Sequence, residues 1–310
     1  MNYKPNPDYE EHFALNMSMG GEDAEESLAK IQANLLSYEL GPDTTMEDRM
    51  VPGSNGVPDV KIRIIRPANL PKGAPVIMDI HGGGWIAGTV DIDNRRNIHL
   101  AESTPALVVA VEYRLTSATV RYPEPLKDCY VVYKWLLENA AEIGGDPKKI
   151  ALHGTSAGGN LAEGLVLYLR DHGEQQPCLT VLNCPALSDR IYSSSYQMDA
   201  MAVSATGYNQ PLHFYLGDLM GKSASYYAVP DLCSDLRGLR PHFIITAEYD
   251  SLRDEGLNYA MRLLSAYVPC EIISAPRVAH GFCTVDAELT KWVHEGCCAA
   301  FRREFDSMTG

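Results

Sequence analysis

Five residues carry the clearest chemical signal in the chain: Gly154-Thr155-Ser156-Ala157-Gly158. A hydroxyl set between two glycines is the form of a nucleophile, provided the backbone around it makes a sharp strand-to-helix turn. Ile150, Ala151 and Leu152 read as a buried strand before it, and Leu161, Ala162, Leu165, Val166 and Leu169 follow at helical spacing. Such a turn forces the serine into a strained conformation, and a Cβ at Gly154 or Gly158 would crowd the facing backbone. The same five residues also fit a glycine-rich turn with an incidental serine. Because a serine hydroxyl stays protonated at neutral pH, Ser156 needs a base, an orienter for that base and donors for an oxyanion.

Nine histidines compete for the first role. His280 stands in Ala279-His280-Gly281-Phe282, after the strand residues Ile272-Ile273 and the turn residues Ser274 to Val278. A loop after a parallel strand lies at the carboxyl edge of the sheet, where the Ser156 turn also lies. Asp250 follows the apolar run Phe243 to Ala247 in the same way. The order Ser156, Asp250, His280 is that of an α/β-hydrolase. As a lone aspartate before Arg253, Asp250 also fits a helix cap. Asp254 is the second candidate for the acid but falls inside the following helix, facing away. His153, beneath the turn, and His294, in the last helix, take structural roles. His81-Gly82-Gly83-Gly84-Trp85 closes another strand, and its glycines let bare backbone N–H groups approach a ligand beside the Ala157 N–H. No Gly-Lys-Ser/Thr follows, so phosphate binding is disfavoured. His81 orders the loop, and Trp85 packs.

The elements that must hold these residues alternate. Met46–Val51 and Val57–Arg66 read as an antiparallel edge pair around Gly53-Ser54-Asn55-Gly56. Apolar strands then begin near Pro75, Ala106, Ile150, Leu179, His242 and Cys270, with amphipathic helices at Glu124–Ile143, after Ser156, at Arg253–Tyr267 and at Glu288–Phe305. This is an α/β class with a mostly parallel sheet covered on both faces. The N-terminal part, through Ala24–Leu40, reads as helical. Between Pro185 and Pro241 the alternation stops and Tyr192, Tyr196, Tyr208, Tyr215, Tyr226 and Tyr227 accumulate. So long a loop without structure is unusual, which makes this stretch a small helical cap. Its tyrosines line a pocket or cover the junction with the core. The expected parts are 1–45 as the N-terminal piece of the cap, 46–187 as core, 188–235 as cap insert and 236–310 as core.

Composition excludes several classes. A net charge of −14 repels nucleic acid and anionic membranes. No apolar run spans a bilayer, and the polar, acidic Met1–Glu11 is neither a signal peptide nor a membrane anchor. The eight cysteines form no Cys-x-x-Cys pair, so no zinc or other metal site is expected, and buried free thiols indicate a reducing, cytoplasmic setting. Cys283, near His280, is the one candidate for a reactive thiol, and the adjacent Cys297 and Cys298 read as helix packing.

Taken together, His81-Gly82-Gly83-Gly84-Trp85, Glu112-Tyr113-Arg114-Leu115, Tyr122 to Asp128, Gly145-Asp146-Pro147, Gly154 to Gly159, Asp250 to Gly256 and His280-Gly281-Phe282 resemble the hormone-sensitive lipase family of α/β-hydrolases, the bacterial family IV esterases. Thr155 is similar to the branch with threonine, not aspartate, beside the nucleophile. The resemblance implies Ser156 as nucleophile, His280 as base, Asp250 as orienter, and Gly83, Gly84 and Ala157 as oxyanion donors. It also implies a helical cap, no cofactor, and pairing of two copies through the last strand as a common arrangement. Thr116 to Val120 and Ser251 depart from the family pattern in loops at the site mouth and bear on substrate choice. The expected activity is a serine carboxylesterase for small, short- to medium-chain acyl esters. A specialised deacetylase of a sugar, natural product or drug-like ester is the alternative within the class, and a non-catalytic ligand-binding receptor the alternative outside it; His280 argues against the receptor.

Overall fold

A computed structural model describes residues 4–18, 40–68, 70–189, 194–195, 211–222 and 224–308. The sheet has eight strands: β1 (Thr45–Val51), β2 (Val60–Arg66), β3 (Ala74–Ile80), β4 (Leu107–Glu112), β5 (Gly145–Thr155), β6 (Thr180–Asn183), β7 (His242–Tyr249) and β8 (Cys270–Ala279). Their order is β1-β2-β4-β3-β5-β6-β7-β8. β1 and β2 are antiparallel at one edge, β2 meets β4 antiparallel, and every later pairing is parallel. Helices accompany it: α1 (Glu10–Ser18), α2 (Asn94–Ser103), α3 (Glu124–Asn139), α4 (Ala157–Asp171), α5 (Arg253–Ser265) and α6 (Glu288–Ser307).

Alternation along the strands splits the core in two. Val76, Met78, Val109, Leu152, Leu182 and Ile244 face one way and pack with α3, α4 and α5. Ile77, Val108, Ala151, Val181, Phe243 and Ile245 face the other way, against α2 and α6. Each such aliphatic side chain contributes about 1.5–3 kcal/mol when fully buried, so the central strands are fixed from both faces. α4, which begins at Ala157, is buried nearly all round and passes through the core.

Three differences from the sequence reading have physical causes. α2 is not signalled by hydrophobic pattern, because its inward face includes Asn94, Arg96 and Asn97 as well as Ile98 and Leu100. β2 begins at Val60, not Val57, after the Pro58-Asp59 step. β8 does not end at Ser274: the expected turn over Ser274 to Val278 is strand, carrying Arg277 at φ 55° and a register shift before Tyr249 pairs with Ala279. His280 therefore stands directly on the strand end.

Of the expected helix Ala24–Leu40 all but Leu40 lies outside the described residues, as do Tyr192, Tyr196 and Tyr208. Of the expected insert, residues 211–216 are helical, and short 3-10 turns cover Gly217–Leu219 and Pro230–Leu232. Tyr215 is buried and stacks on Trp85 at 4.7 Å between ring centres. Tyr226 and Tyr227 donate to the Asp171 carboxylate at the end of α4, covering the junction.

Candidate active site

β5 runs into Ser156 and α4 starts one residue later, so the serine occupies the turn itself. Its backbone is at φ 56°, ψ −117°, a region that non-glycine residues occupy only where the surroundings enforce it. The enforcement is tight. A Cβ on Gly154 would lie 2.4 Å from the Gly158 carbonyl oxygen, and one on Gly158 would lie 2.0 Å from that of Ile80. The Ser156 N–H donates to the Asn183 carbonyl at 2.9 Å, tying the turn to β6.

A charged network lies below the turn. Buried Asp79 accepts from Arg96 Nη2 at 2.7 Å and Asn97 Nδ2 at 2.8 Å, with His153 Nδ1 at 2.8 Å. Arg96 also donates to Thr155 Oγ1 at 2.7 Å and Asp93 at 3.0 Å. Burial alone would raise the Asp79 carboxyl, but Arg96 and the donated hydrogen bonds hold it below the usual range. His153 is thus held in this network by Asp79, while the part played by Arg96 was not visible in the sequence.

The sheet order brings the strand ends after β5, β7 and β8 to one edge, and Ser156, Asp250 and His280 meet there. His280 Nε2 lies 3.0 Å from Ser156 Oγ, and His280 Nδ1 lies 2.7 Å from Asp250 Oδ2. The second carboxylate oxygen of Asp250 accepts the Leu252 N–H at 2.9 Å. Burial works against a charged His280, but the Asp250 carboxylate and its hydrogen bond outweigh that and raise the imidazole above its ordinary value. Ser156 is 8% exposed, and the His280 side chain keeps 28% of its surface.

Gly83 and Gly84 follow β3 with φ 108° and 61°. A Cβ on Gly83 would lie 2.1 Å from the Ala87 carbonyl oxygen. His81 Nδ1 is 2.6 Å from the Gly82 carbonyl, and Tyr113 both stacks on the His81 ring and donates to the His81 carbonyl. Thr116, in a segment that departs from the family pattern, donates its N–H to the Trp85 carbonyl at 2.7 Å. Ala157 opens α4, so its N–H belongs to the positive end of a helix.

Other expected residues stay apart. Asp254 accepts from Ser194 Oγ at 2.7 Å and the Ser195 N–H at 2.9 Å, so it holds the insert and not His280. Cys283 is buried with its Sγ 3.8 Å from Asn183 Oδ1, and burial pushes its thiol up to about 12. Two neighbours of the triad were not singled out in the sequence. His12 of α1 abuts Gly281, and burial, with His280 alongside, pulls its imidazole down to about 4. Cys184, one residue past β6, lies against Asp250 and His280. Only its place after a strand end, before Pro185, could have pointed to it.

A parallel sheet with a serine on a strained strand-to-helix turn, a histidine and an aspartate on later strand ends, and a glycine loop alongside defines a carboxylic ester hydrolase of the hormone-sensitive lipase kind. Comparisons with known proteins agree: a family model described as alpha/beta hydrolase fold matches residues 77–284, and the chain belongs to that family. Carboxylesterase NlhH of Mycobacterium tuberculosis is 34% identical over 250 residues, covering 79% of this chain and 77% of its own. Ethyl acetate hydrolase of Pseudomonas putida is 30% identical over 240 residues, covering 71% of this chain and 70% of its own. The solved structure of a bacterial heroin esterase superposes with a TM-score of 0.86 at 31% identity, over 97% of this chain and 98% of that one.

Proposed function

We propose that the chain hydrolyses small, short- to medium-chain acyl esters through an acyl-enzyme on Ser156. The observation that carries this reading is the continuous line from Ser156 Oγ through His280 to Asp250, with contacts of 3.0 and 2.7 Å. His280 Nε2 takes the hydroxyl proton as Oγ attacks the ester carbonyl, and Asp250 holds the Nδ1–H tautomer and stabilises the imidazolium. The N–H groups of Gly83, Gly84 and Ala157 receive the oxyanion. Each such donor is worth about 3 kcal/mol of barrier. His280 returns its proton to the leaving alcohol, and water attacks the acyl-enzyme by the same route in reverse. Every proton moves between Ser156, His280, substrate and water.

Short acyl groups are favoured by the ethyl acetate that one relative's name gives as its substrate. Heroin esterase supports a second reading, cleavage of an acyl group from a drug-like alcohol. We further assign residues 1–45 and 188–235 to a cap over the acyl pocket. The free cysteines suit a cytoplasmic setting, and among the described residues no helix is long and apolar enough to cross a membrane. Pairing of two copies along β8 would cover Ile272, exposed on that edge; sedimentation of the purified protein decides it.

The test is a series of p-nitrophenyl esters from acetate to octanoate, run beside Ser156→Ala. The expected result is a maximum at the short end and loss of turnover in the variant. No hydrolysis across the series by the wild-type protein would favour the ligand-binding alternative.

A further inference from the structure

Three consecutive residues of the glycine loop have left-handed backbones: Gly83 at φ 108°, Gly84 at 61° and Trp85 at 62°. Glycine tolerates this, but a bulky side chain holds it only where its surroundings enforce it, and such residues cluster at functional sites. Trp85 is held at two points. From the core, the N–H and the hydroxyl of Thr116 donate to its carbonyl at 2.7 and 3.2 Å. From the insert, the Tyr215 ring lies on the indole at 4.7 Å between centres and 3° between planes. Both side chains are fully buried. The helical stretch that carries Tyr215 also meets the neighbouring glycine, since a Cβ on Gly84 would lie 3.0 Å from Pro211 Cβ. Tyr215 is itself fixed: its carbonyl accepts the Tyr122 N–H at 2.8 Å, and the Tyr122 ring stands edge-on to it at 5.8 Å. The Tyr215 hydroxyl has no hydrogen-bond partner among the described residues, so the ring makes the contact with Trp85.

We propose that Tyr215 is a positioning residue for ester hydrolysis: its ring, stacked on Trp85, holds the Gly83 and Gly84 N–H groups where the oxyanion forms. The inference rests on the esterase reading above. Peptide units are planar, so if Trp85 relaxed to an ordinary negative φ, the plane joining it to Gly84 would rotate and carry Gly84 with it. Tyr215 removes that freedom, because the indole cannot leave the stack without opening a void between the insert and the loop. Oxyanion donors act on charge that develops only in the transition state, so their displacement lowers kcat and leaves KM nearly alone. The insert thus takes part in the chemical step as well as covering the site. A tyrosine that served only as a wall of the acyl pocket would act in the opposite way, changing KM to a degree that varies with chain length. Tyr215, fully buried, offers no such wall.

Losing a whole oxyanion donor lowers kcat about 10²–10³-fold, and a loosened loop keeps part of that contribution. Tyr215→Ala is therefore expected to lower kcat about tenfold on p-nitrophenyl acetate and butyrate alike, with KM within about twofold. Tyr215→Leu keeps an apolar side chain in the core but not the flat ring and follows Tyr215→Ala, which covers the case in which the alanine variant does not fold. Tyr215→Phe keeps the ring and holds kcat within about twofold of wild type. An alkyl trifluoromethyl ketone gives the second readout: Ser156 Oγ adds to its carbonyl carbon, the hydroxyl proton passes to His280 and the ketone oxygen becomes the oxyanion. Its inhibition constant should rise about tenfold in Tyr215→Leu, in step with kcat, and stay put in Tyr215→Phe. A residue that only filled the core would lower the melting temperature and leave both readouts of the folded variant unchanged. Unchanged kcat in a folded leucine variant, a loss confined to KM or graded along the ester series, or an equal loss in the phenylalanine variant overturns the proposal. Wild-type turnover that Ser156→Ala abolishes, measured alongside, shows that only the role of Tyr215 has failed; without such turnover it is the esterase reading that falls.

Discussion

Replacing Asp250 by asparagine is the most informative single change, because the structure dictates which way the amide will turn. Asp250 Oδ1 accepts the Leu252 N–H at 2.9 Å, and Oδ2 faces His280 Nδ1 at 2.7 Å. A backbone N–H needs an acceptor, so the asparagine carbonyl must take the Leu252 side. Its NH2 is then aimed at His280 Nδ1, which must become the acceptor. The ring proton moves to Nε2 and points at Ser156 Oγ, 3.0 Å away. In that tautomer His280 cannot accept the serine proton. The same exchange in the Ser-His-Asp proteases costs about 10⁴ in kcat, or about 5.4 kcal/mol at 1.36 kcal/mol per decade, and a loss of that order is expected here. The assay is initial rates on p-nitrophenyl acetate and butyrate, with thermal melting to show that the variant is folded. A folded Asp250→Asn enzyme within tenfold of wild type would refute the tautomer argument and the role given to Asp250.

Other consequences follow from the same contacts. His280 is raised above its ordinary value and must be neutral to act, so kcat/KM should be full above a limb lying higher than about 6.5 and fall as the pH drops through it; a limb below that value contradicts the Asp250 contribution. Asp79 is held low, so its contribution to stability is present above the ordinary carboxylate range near 4 and is lost as pH falls through its lower folded value. Asp79→Ala should cost about 3–5 kcal/mol by leaving Arg96 partly unpaired in the core, read as urea midpoints at pH 7. Blocking thiols with iodoacetamide at neutral pH should leave activity unchanged, since the Cys283 thiol is pushed up to about 12; inactivation with the label on Cys283 would revive it as a reactive group.

The sequence was most legible where local chemistry is restrictive. A glycine on either side of Ser156, apolar runs that each fit one strand, and strand-end positions for Asp250 and His280 leave few arrangements, and the sheet brings the three side chains within hydrogen-bond distance at one edge. It was least legible where polar residues are buried. α2 escaped the hydrophobic pattern because Arg96 and Asn97 turn inward to Asp79, and nothing local announces that pairing. β8 was cut short because Pro276 and Arg277 look like a turn, whereas Arg277 is a kink within a strand that continues. Cys184 and His12 were missed for another reason: each reaches the site through tertiary packing alone.

The central claim is that Ser156 becomes covalently acylated, and an organophosphate ester tests it most directly because it stops at the equivalent adduct. After treatment with paraoxon, peptide mapping by mass spectrometry should find one diethylphosphoryl group, on Ser156, with activity lost in proportion to labelling and no adduct in Ser156→Ala. Inactivation with the label on another residue, or undiminished ester hydrolysis by Ser156→Ala, would contradict it.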